Sequence, residues 1–305
     1  MMKNTHVLVR RKNKLSKWFE PITIILFILL FAYSVSLILP FIWAINTSFK
    51  TWLDYYFHPF NFPSKDSLKI FYENYVTAAN NFTIKINNKP VYIEEQILNS
   101  ILYAIGGAFF ITVTNCTVAY CCAKFPQIKA SSVYVTIVIV AMSIPIIGSK
   151  PSELQMLINL KLYDTILGSW VLKMNFMGIY FLVFYTSFKA IPKDYSDAAV
   201  VDGANNFDIY LRMMLPFVGK TFGTVFLIYF IQFWNDYQVP LLYMPSHPTL
   251  SYGLYKFSVS TGTAVSGSVP VKMAGCMLLF LPIFIIFIIF QKKLLGNIMT
   301  GGIKE

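Results

Sequence analysis

Few residues in this chain have the types and spacing that carry chemistry. Gly219-Lys220-Thr221 matches the close of a phosphate-binding loop, whose glycine-rich backbone wraps phosphate oxygens. That loop needs another glycine five positions before Gly219, and Met214 stands there, at the edge of an apolar run. The tripeptide therefore reads as coincidence, and the chain is not expected to hydrolyse ATP. Cys116, Cys121, Cys122 and Cys276 lie inside apolar runs, without zinc-ligand spacing or the loop positions of a disulfide framework. His6, His58 and His247 are scattered. No catalytic residue, no metal set and no cofactor bound by this chain is expected.

Two polar constellations remain. The segment 191–216 reads IPKDYSDAAVVDGANNFDIYLRMMLP, far more polar than its flanks. Asp194 is placed to cap a first helix, with Asp197 three residues on as an acidic capping box, and early acids suit the helix dipole. Gly203 bends the chain and allows close backbone approach. Beyond it Phe207, Tyr210, Leu211, Met214 and Leu215 fall at the spacing of one apolar helix face, which Pro216 should end. The small residues Ala198, Ala199, Gly203 and Ala204 beside isolated acids suit insertion into a groove on a partner; an amphipathic connector at a membrane surface is the competing reading. The second constellation is Trp234-Asn235-Asp236, inside an apolar run, where an ionisable residue marks a functional site unless it reaches water at an interface. Lys173, near the end of another apolar run, is expected to extend its ammonium to the interface.

The elements that must position these residues are membrane spans. Of 305 residues, 56% are hydrophobic and 13% charged, about half the charge of a soluble domain. Lipid must supply the missing solvation. The net charge of +11 does not make a nucleic-acid surface, because the basic residues lie between apolar runs rather than in a stripe interleaved with aromatics. A crossing needs about 20 apolar residues, and six candidates follow: 22–46, 98–122, 132–149, 167–188, 221–242 and 272–290. The first follows a basic tail, residues 1–21. It is too long for a secretory h-region and lacks a small-x-small cleavage site, so it reads as an uncleaved anchor. With the tail in the cytoplasm, both termini fall inside, and the cytoplasmic segments hold 15 of the 25 Lys and Arg. Residues 47–97 form the largest extracytoplasmic piece, broken by Pro59, Pro63 and Pro90, and 291–305 form a cytoplasmic tail. Only three of the 25 basic residues are Arg, while Lys, Asn, Ile and Phe are abundant, a bias of AT-rich bacterial genomes; the fold expected is an all-α integral membrane protein of a bacterial plasma membrane with about six spans.

On these residues the chain resembles the permease subunits of ABC importers. Their loop signature is an acidic-Ala-Ala triplet, three residues, glycine, nine residues, then apolar-x-Leu-Pro. Asp197-Ala198-Ala199, Gly203, Met213, Leu215 and Pro216 stand at that spacing, with Asp202-Gly203-Ala204 around the glycine. Within that group the chain is similar to the carbohydrate-uptake permeases of maltose type, through Ser48-Phe49-Lys50, Asn99-Ser100, Ala119-Tyr120, Ile144-Pro145, Ile191-Pro192, Trp234-Asn235-Asp236 and the closing Thr300-Gly301-Gly302-Ile303-Lys304. The resemblance implies a type I importer permease fold with its permease domain over 98–290. It implies a second permease subunit, two ATPase subunits that bind the ATP and magnesium, and an extracytoplasmic solute-binding protein. Asp197, Ala198, Ala199, Asp202, Gly203, Ala204, Phe207, Leu215 and Pro216 would dock on an ATPase. Trp234, Asn235 and Asp236 are candidates for the solute pathway, with Trp234 or Tyr237 stacking on a sugar. A permease of the same type for a peptide or polyamine is the alternative, ahead of a secondary transporter. The polar insert within 82–96 is longer than is usual in the group.

Overall fold

The computed structural model describes residues 21–86, 89–144, 148–259 and 267–298, with side chains to residue 289. The basic tail, Pro145 and residues 299–305, with their closing Gly-rich pattern, lie outside the described residues.

The chain is built around one long helix, α5 (Ile93–Lys124). Its buried positions include Asn99, Tyr103, Ala104, Gly107, Ala108, Ile111, Thr112, Asn115, Ala119 and Tyr120, a stripe at helical spacing rich in small residues. Without a hydrophobic drive between helices in lipid, small residues let backbones approach and gain dispersion. Three helices use that stripe: α8 (Ile166–Lys173), α9 (Ile179–Lys189) and α13 (Gly219–Trp234). At Gly106 a Cβ would come within 2.1 Å of the Trp170 ring of α8, so any larger residue must displace that ring.

Among the described residues, three helices are long and apolar enough to cross a membrane: α1 (Pro21–Ser48), α5 and α16 (Val269–Ile298). α1 packs along α16, which also holds α4 (Tyr72–Asn81) and α2 (Trp52–Phe57). The other candidate crossings are not continuous helices. α6 (Lys129–Ser143) ends six residues before the expected boundary. The run 167–188 breaks between α8 and α9, at Met174 to Gly178, where Gly178 has φ +153°. The run 221–242 breaks between α13 and α14 (Gln238–Tyr243). Hydropathy sees these runs as uninterrupted because the breaks carry few charges.

The chain is mostly helical, as expected, with one short antiparallel hairpin that the sequence did not suggest, β1 (Ile84–Ile86) with β2 (Lys89–Val91), paired Ile84 to Val91. It lies in the polar insert and is tied down by Gln96, which is fully buried and donates to the Phe82 and Val91 carbonyls. The segment between α1 and α4 is likewise ordered by buried polar groups. Lys50 is fully buried, and its Nζ donates to the carbonyls of His58 (2.7 Å) and Pro59 (3.1 Å). Burial pushes that ammonium's pKa down, opposed by Asp54. Asp54 is itself held below the usual carboxylate range: burial acts against this, but donation from the Ser64 N–H and Ser67 hydroxyl outweighs it.

Among the described residues, beside a small cluster of Ala78, Phe257, Val271 and Ala274, the core has two large parts. One gathers Phe82, Tyr103, Leu157, Phe230, Phe233, Trp234 and Tyr243 around the Gln96 end of α5. The other gathers Tyr120, Val138, Phe181, Phe184, Phe188, Ala199, Ile209 and Met214 around its Lys124 end.

Candidate functional site, a helix corner and a buried ion pair

At the Lys124 end, the polar segment 191–216 folds into a corner. Lys124 Nζ donates to the Ile191 carbonyl (2.8 Å), which fixes where the segment leaves the core. Helix α10 (Lys193–Val201) starts after Pro192, so Asp194 sits in the first turn rather than at the cap, and no side chain caps that end. The acidic capping box expected from Asp194 and Asp197 does not form; Asp197 lies on the exposed face, 3.9 Å from Lys193 one turn earlier.

The other end of α10 explains the spacing of its small residues. Gly203 has φ +85°, a left-handed conformation that L side chains avoid. The Gly203 N–H donates to the Val200 carbonyl (3.0 Å) and the Ala204 N–H to the Ala199 carbonyl (2.9 Å). That pair of bonds is the Schellman arrangement, which satisfies the last carbonyls of a helix and favours glycine just past its end. Ala199 is buried and Ala204 half-buried, the apolar contact that accompanies this stop. Asn205 immediately caps the next helix, its Oδ1 accepting from the N–H groups of Phe207 (3.0 Å) and Asp208 (2.8 Å). Two helices thus meet over four residues, 202–205, with one side of Gly203 open: a Cβ there would meet nothing within 4 Å.

The second helix departs from the face expected of it. α11 (Asn206–Asp208) widens into a π-helical turn over Ile209–Met214 before α12 (Leu215–Phe217). Pro216 has no N–H for the Arg212 carbonyl and its ring crowds it, and a wider turn relieves both. The burial register shifts accordingly: Ile209, Met214 and Val218 are buried, five and four residues apart, whereas Phe207 and Leu211 are exposed. Pro216 does not end the helix; the chain turns by 75° at Val218, into α13. Tyr210 holds this segment to α5, its hydroxyl 2.9 Å from Thr117 Oγ1 and its ring 4.8 Å from that of Tyr120. Asp202 and Asp208, with Arg212 3.3 Å from Asp208, line an open cleft beside Gly203.

At the Gln96 end, Asp236 occupies the break between α13 and α14. Its Oδ2 accepts from the Tyr103 hydroxyl (2.7 Å) and from Lys173 Nζ (2.9 Å), and its Oδ1 from the N–H groups of Gln238 (3.0 Å) and Val239 (3.2 Å). Lys173 and Asp236 side chains are each 17% exposed. Lys173 therefore does not extend to an interface; its ammonium turns inward, 4.4 Å from the Phe233 ring centroid. One carboxylate ties α5, α8 and the α13–α14 break together. Of its neighbours, Trp234 is buried and packs on Phe230, Asn235 is exposed, and Tyr237 stacks on Tyr255 at 4.5 Å.

Residues 116–298 match the family described as the binding-protein-dependent transport system inner membrane component. The chain belongs to that family. It is 23% identical over 281 residues to the diacetylchitobiose uptake system permease protein of Streptomyces coelicolor, covering 90% of this chain and 86% of that protein. It is 23% identical over 231 residues to the arabinooligosaccharides transport system permease protein of Bacillus subtilis, covering 75% and 80%. The crystal structure of a bacterial ABC transporter involved in the import of the acidic polysaccharide alginate has a chain of the same fold, with TM-score 0.71 at 19% identity, over 88% of this chain and 95% of that one. This permease is a multi-pass plasma-membrane protein, a transport subunit rather than an enzyme.

Within the permease fold, the nine docking candidates fall on α10, the corner, α11 and α12, on either side of the π-helical turn. Sequence reasoning missed the residues that hold this corner and the Asp236 site in place. Lys124, Thr117 and Tyr120 come from α5, far from the corner in sequence, Tyr103 comes from the other end of the same helix, and Lys173 from α8. Each is a polar or aromatic residue inside an apolar run, and that oddity was the only available signal.

Proposed function

We propose that this permease forms half of the membrane pathway of an ATP-driven importer for a carbohydrate, and that the 191–216 corner passes the ATPase stroke to it. The observation that carries this reading is the corner itself. A rigid helix stop at Gly203 leaves its open side outward while Ala199, Ile209 and Met214 anchor it in the core. A lever needs that combination of a stiff anchor and an accessible, small-residue face. Asp197, Ala198, Ala199, Asp202, Gly203, Ala204, Phe207, Leu215 and Pro216 are the proposed docking residues. Two relatives named for diacetylchitobiose uptake and arabinooligosaccharide transport support an oligosaccharide as the solute.

The proposed assembly pairs this chain with a second, different permease. Two separate ATPase subunits bind ATP and magnesium, and an extracytoplasmic protein delivers the solute. Six crossings are proposed: α1, α5, α6, α8 with α9, α13 with α14, and α16, the permease domain spanning 98–290 after the first helix and the 47–97 segment. Both termini are cytoplasmic in this arrangement. Cysteine labelling tests the orientation. An impermeant maleimide should modify a cysteine at Lys85 and spare one at Asn205, both exposed positions; modification at 205 in intact cells would place the corner outside and end the docking role.

The function is tested by reconstituting the four-component transporter in vesicles with its binding protein. ATP hydrolysis and uptake should rise severalfold with an oligosaccharide the binding protein retains. Stimulation by peptides or polyamines alone would move the solute class, and uptake driven by an ion gradient without ATP would overturn the importer reading.

A further inference from the structure

The segment that follows α1 displays five large apolar side chains to the outside. Leu53, Tyr56, Phe57, Phe60 and Phe62 are 64%, 65%, 68%, 82% and 88% exposed. Within α2, Leu53, Tyr56 and Phe57 fall at i, i+3 and i+4 on one face, and Phe60 and Phe62 follow it in the exposed turn beyond. Water-facing surfaces rarely gather such a patch without a partner.

These rings are not loosely held. The backbone beneath them is tied by the buried polar groups described above: Lys50 holds the His58 and Pro59 carbonyls, and Asp54 holds Ser64 and Ser67. Trp43 of α1 packs on Tyr55, ring centroids 6.4 Å apart. A further tie sets the depth. Asn46 Nδ2 donates to the Asn61 carbonyl (2.8 Å), so the chain between Phe60 and Phe62 folds back to the level of the last turn of α1. α1 has 28 residues, about 42 Å of helix at 1.5 Å per residue. The hydrocarbon layer is about 30 Å thick and the bilayer with headgroups about 40–45 Å. The last turn of α1 therefore sits in the headgroup layer, and the tie at Asn46 puts Phe60 and Phe62 there too.

We infer that residues 53–62 form an aromatic cuff that lies in the headgroup layer of the bilayer, on the side where α1 ends, with Tyr56, Phe57, Phe60 and Phe62 turned to lipid. The partner is the lipid surface. The patch runs on from the exposed apolar flank of α1, whose residues from Ile22 to Ile45 already need lipid. Aromatic rings are the side chains that collect at this boundary. The cuff would fix the depth of α1 and seat the Lys50 knot at the membrane surface. The inference rests on α1 being a span.

The test uses the complete transporter in nanodiscs of phosphatidylcholine and phosphatidylglycerol, with native cysteines replaced and nitroxide labels placed one at a time. Labels at Phe60 and Phe62 should collide with oxygen readily and with an aqueous nickel chelate severalfold less than a label at Lys85. Both should fall between Lys85 and a label at Leu30 in mid-α1. Nickel access equal to that at Lys85 would put the patch in water and overturn the cuff. Loss of access to both reagents would show that protein covers it, the second permease if constitutive and the binding protein if only on its addition. A water-exposed label at Leu30 would instead remove α1 as a span, a separate failure.

Discussion

Replacing Asp236 with alanine is expected to destabilise the permease by about 3–5 kcal/mol, the cost of leaving the partner of a buried ion pair uncompensated. Lys173 would keep its ammonium among the Phe233 and Tyr103 rings with its counter-charge gone. The Gln238 and Val239 N–H groups would lose the acceptor that starts α14. Asp236→Asn should cost less, because an amide oxygen can still accept from that turn. Lys173→Met removes the charge from the other side with little change of volume. If the pair is a latch between helices, combining Lys173→Met with Asp236→Asn should recover part of the loss of either single change, since residues in contact couple by about 0.5–3 kcal/mol. Thermal unfolding of the purified transporter, together with uptake, reads this. Single variants with unchanged melting but poor uptake would instead assign Asp236 to solute contact. Additive losses in the double variant would mean that Lys173 and Asp236 do not stabilise each other.

That site also marks the limit of what the sequence made visible. Asp236 stood out as an ionisable residue in an apolar run, but its meaning depends on Lys173, 63 positions earlier, and no local pattern links the two. The reading of Lys173 as reaching for an interface followed from its place near a span end and failed because Asp236 supplies a counter-charge within the core, 2.9 Å from its ammonium. Spans 22–46, 98–122 and 272–290 were legible because length and apolar content alone decide whether a helix crosses. The breaks at Met174 to Gly178 and at Asn235 to Tyr237 were not, because a hydropathy average passes over short interruptions that hold a single charge between them. The corner was legible in its spacing: Ala199, Gly203 and Ala204 are set at the intervals a helix stop requires. The π-helical turn was not, since an α-period was assumed past Asn205, and Pro216 acts on the carbonyl of Arg212 rather than ending the helix. The hairpin 84–91 was hidden in a polar insert that reads as loop.

The corner makes the sharper prediction. Gly203 is open on one side in this chain, so a side chain there meets no atom of the permease itself. Its φ of +85° still penalises an L residue, by about 1–2 kcal/mol in the left-handed region. Asparagine tolerates that region better than other residues. Gly203→Val and Gly203→Asn therefore separate two causes. Valine strains the stop and would loosen the Ala204-to-Ala199 bond, moving the cap at Asn205. Asparagine keeps the stop and only adds atoms to the open face. If an ATPase cleft closes around that face, both variants should insert normally and lose solute-stimulated ATP hydrolysis at least about tenfold, equivalent to 1.4 kcal/mol of coupling. Co-purification of the ATPase should weaken in parallel. A loss confined to valine would make Gly203 a matter of backbone geometry alone, with the open face free of any partner. Full activity in both would show that the corner is a connector between α9 and α13 and would move the lever elsewhere in the permease.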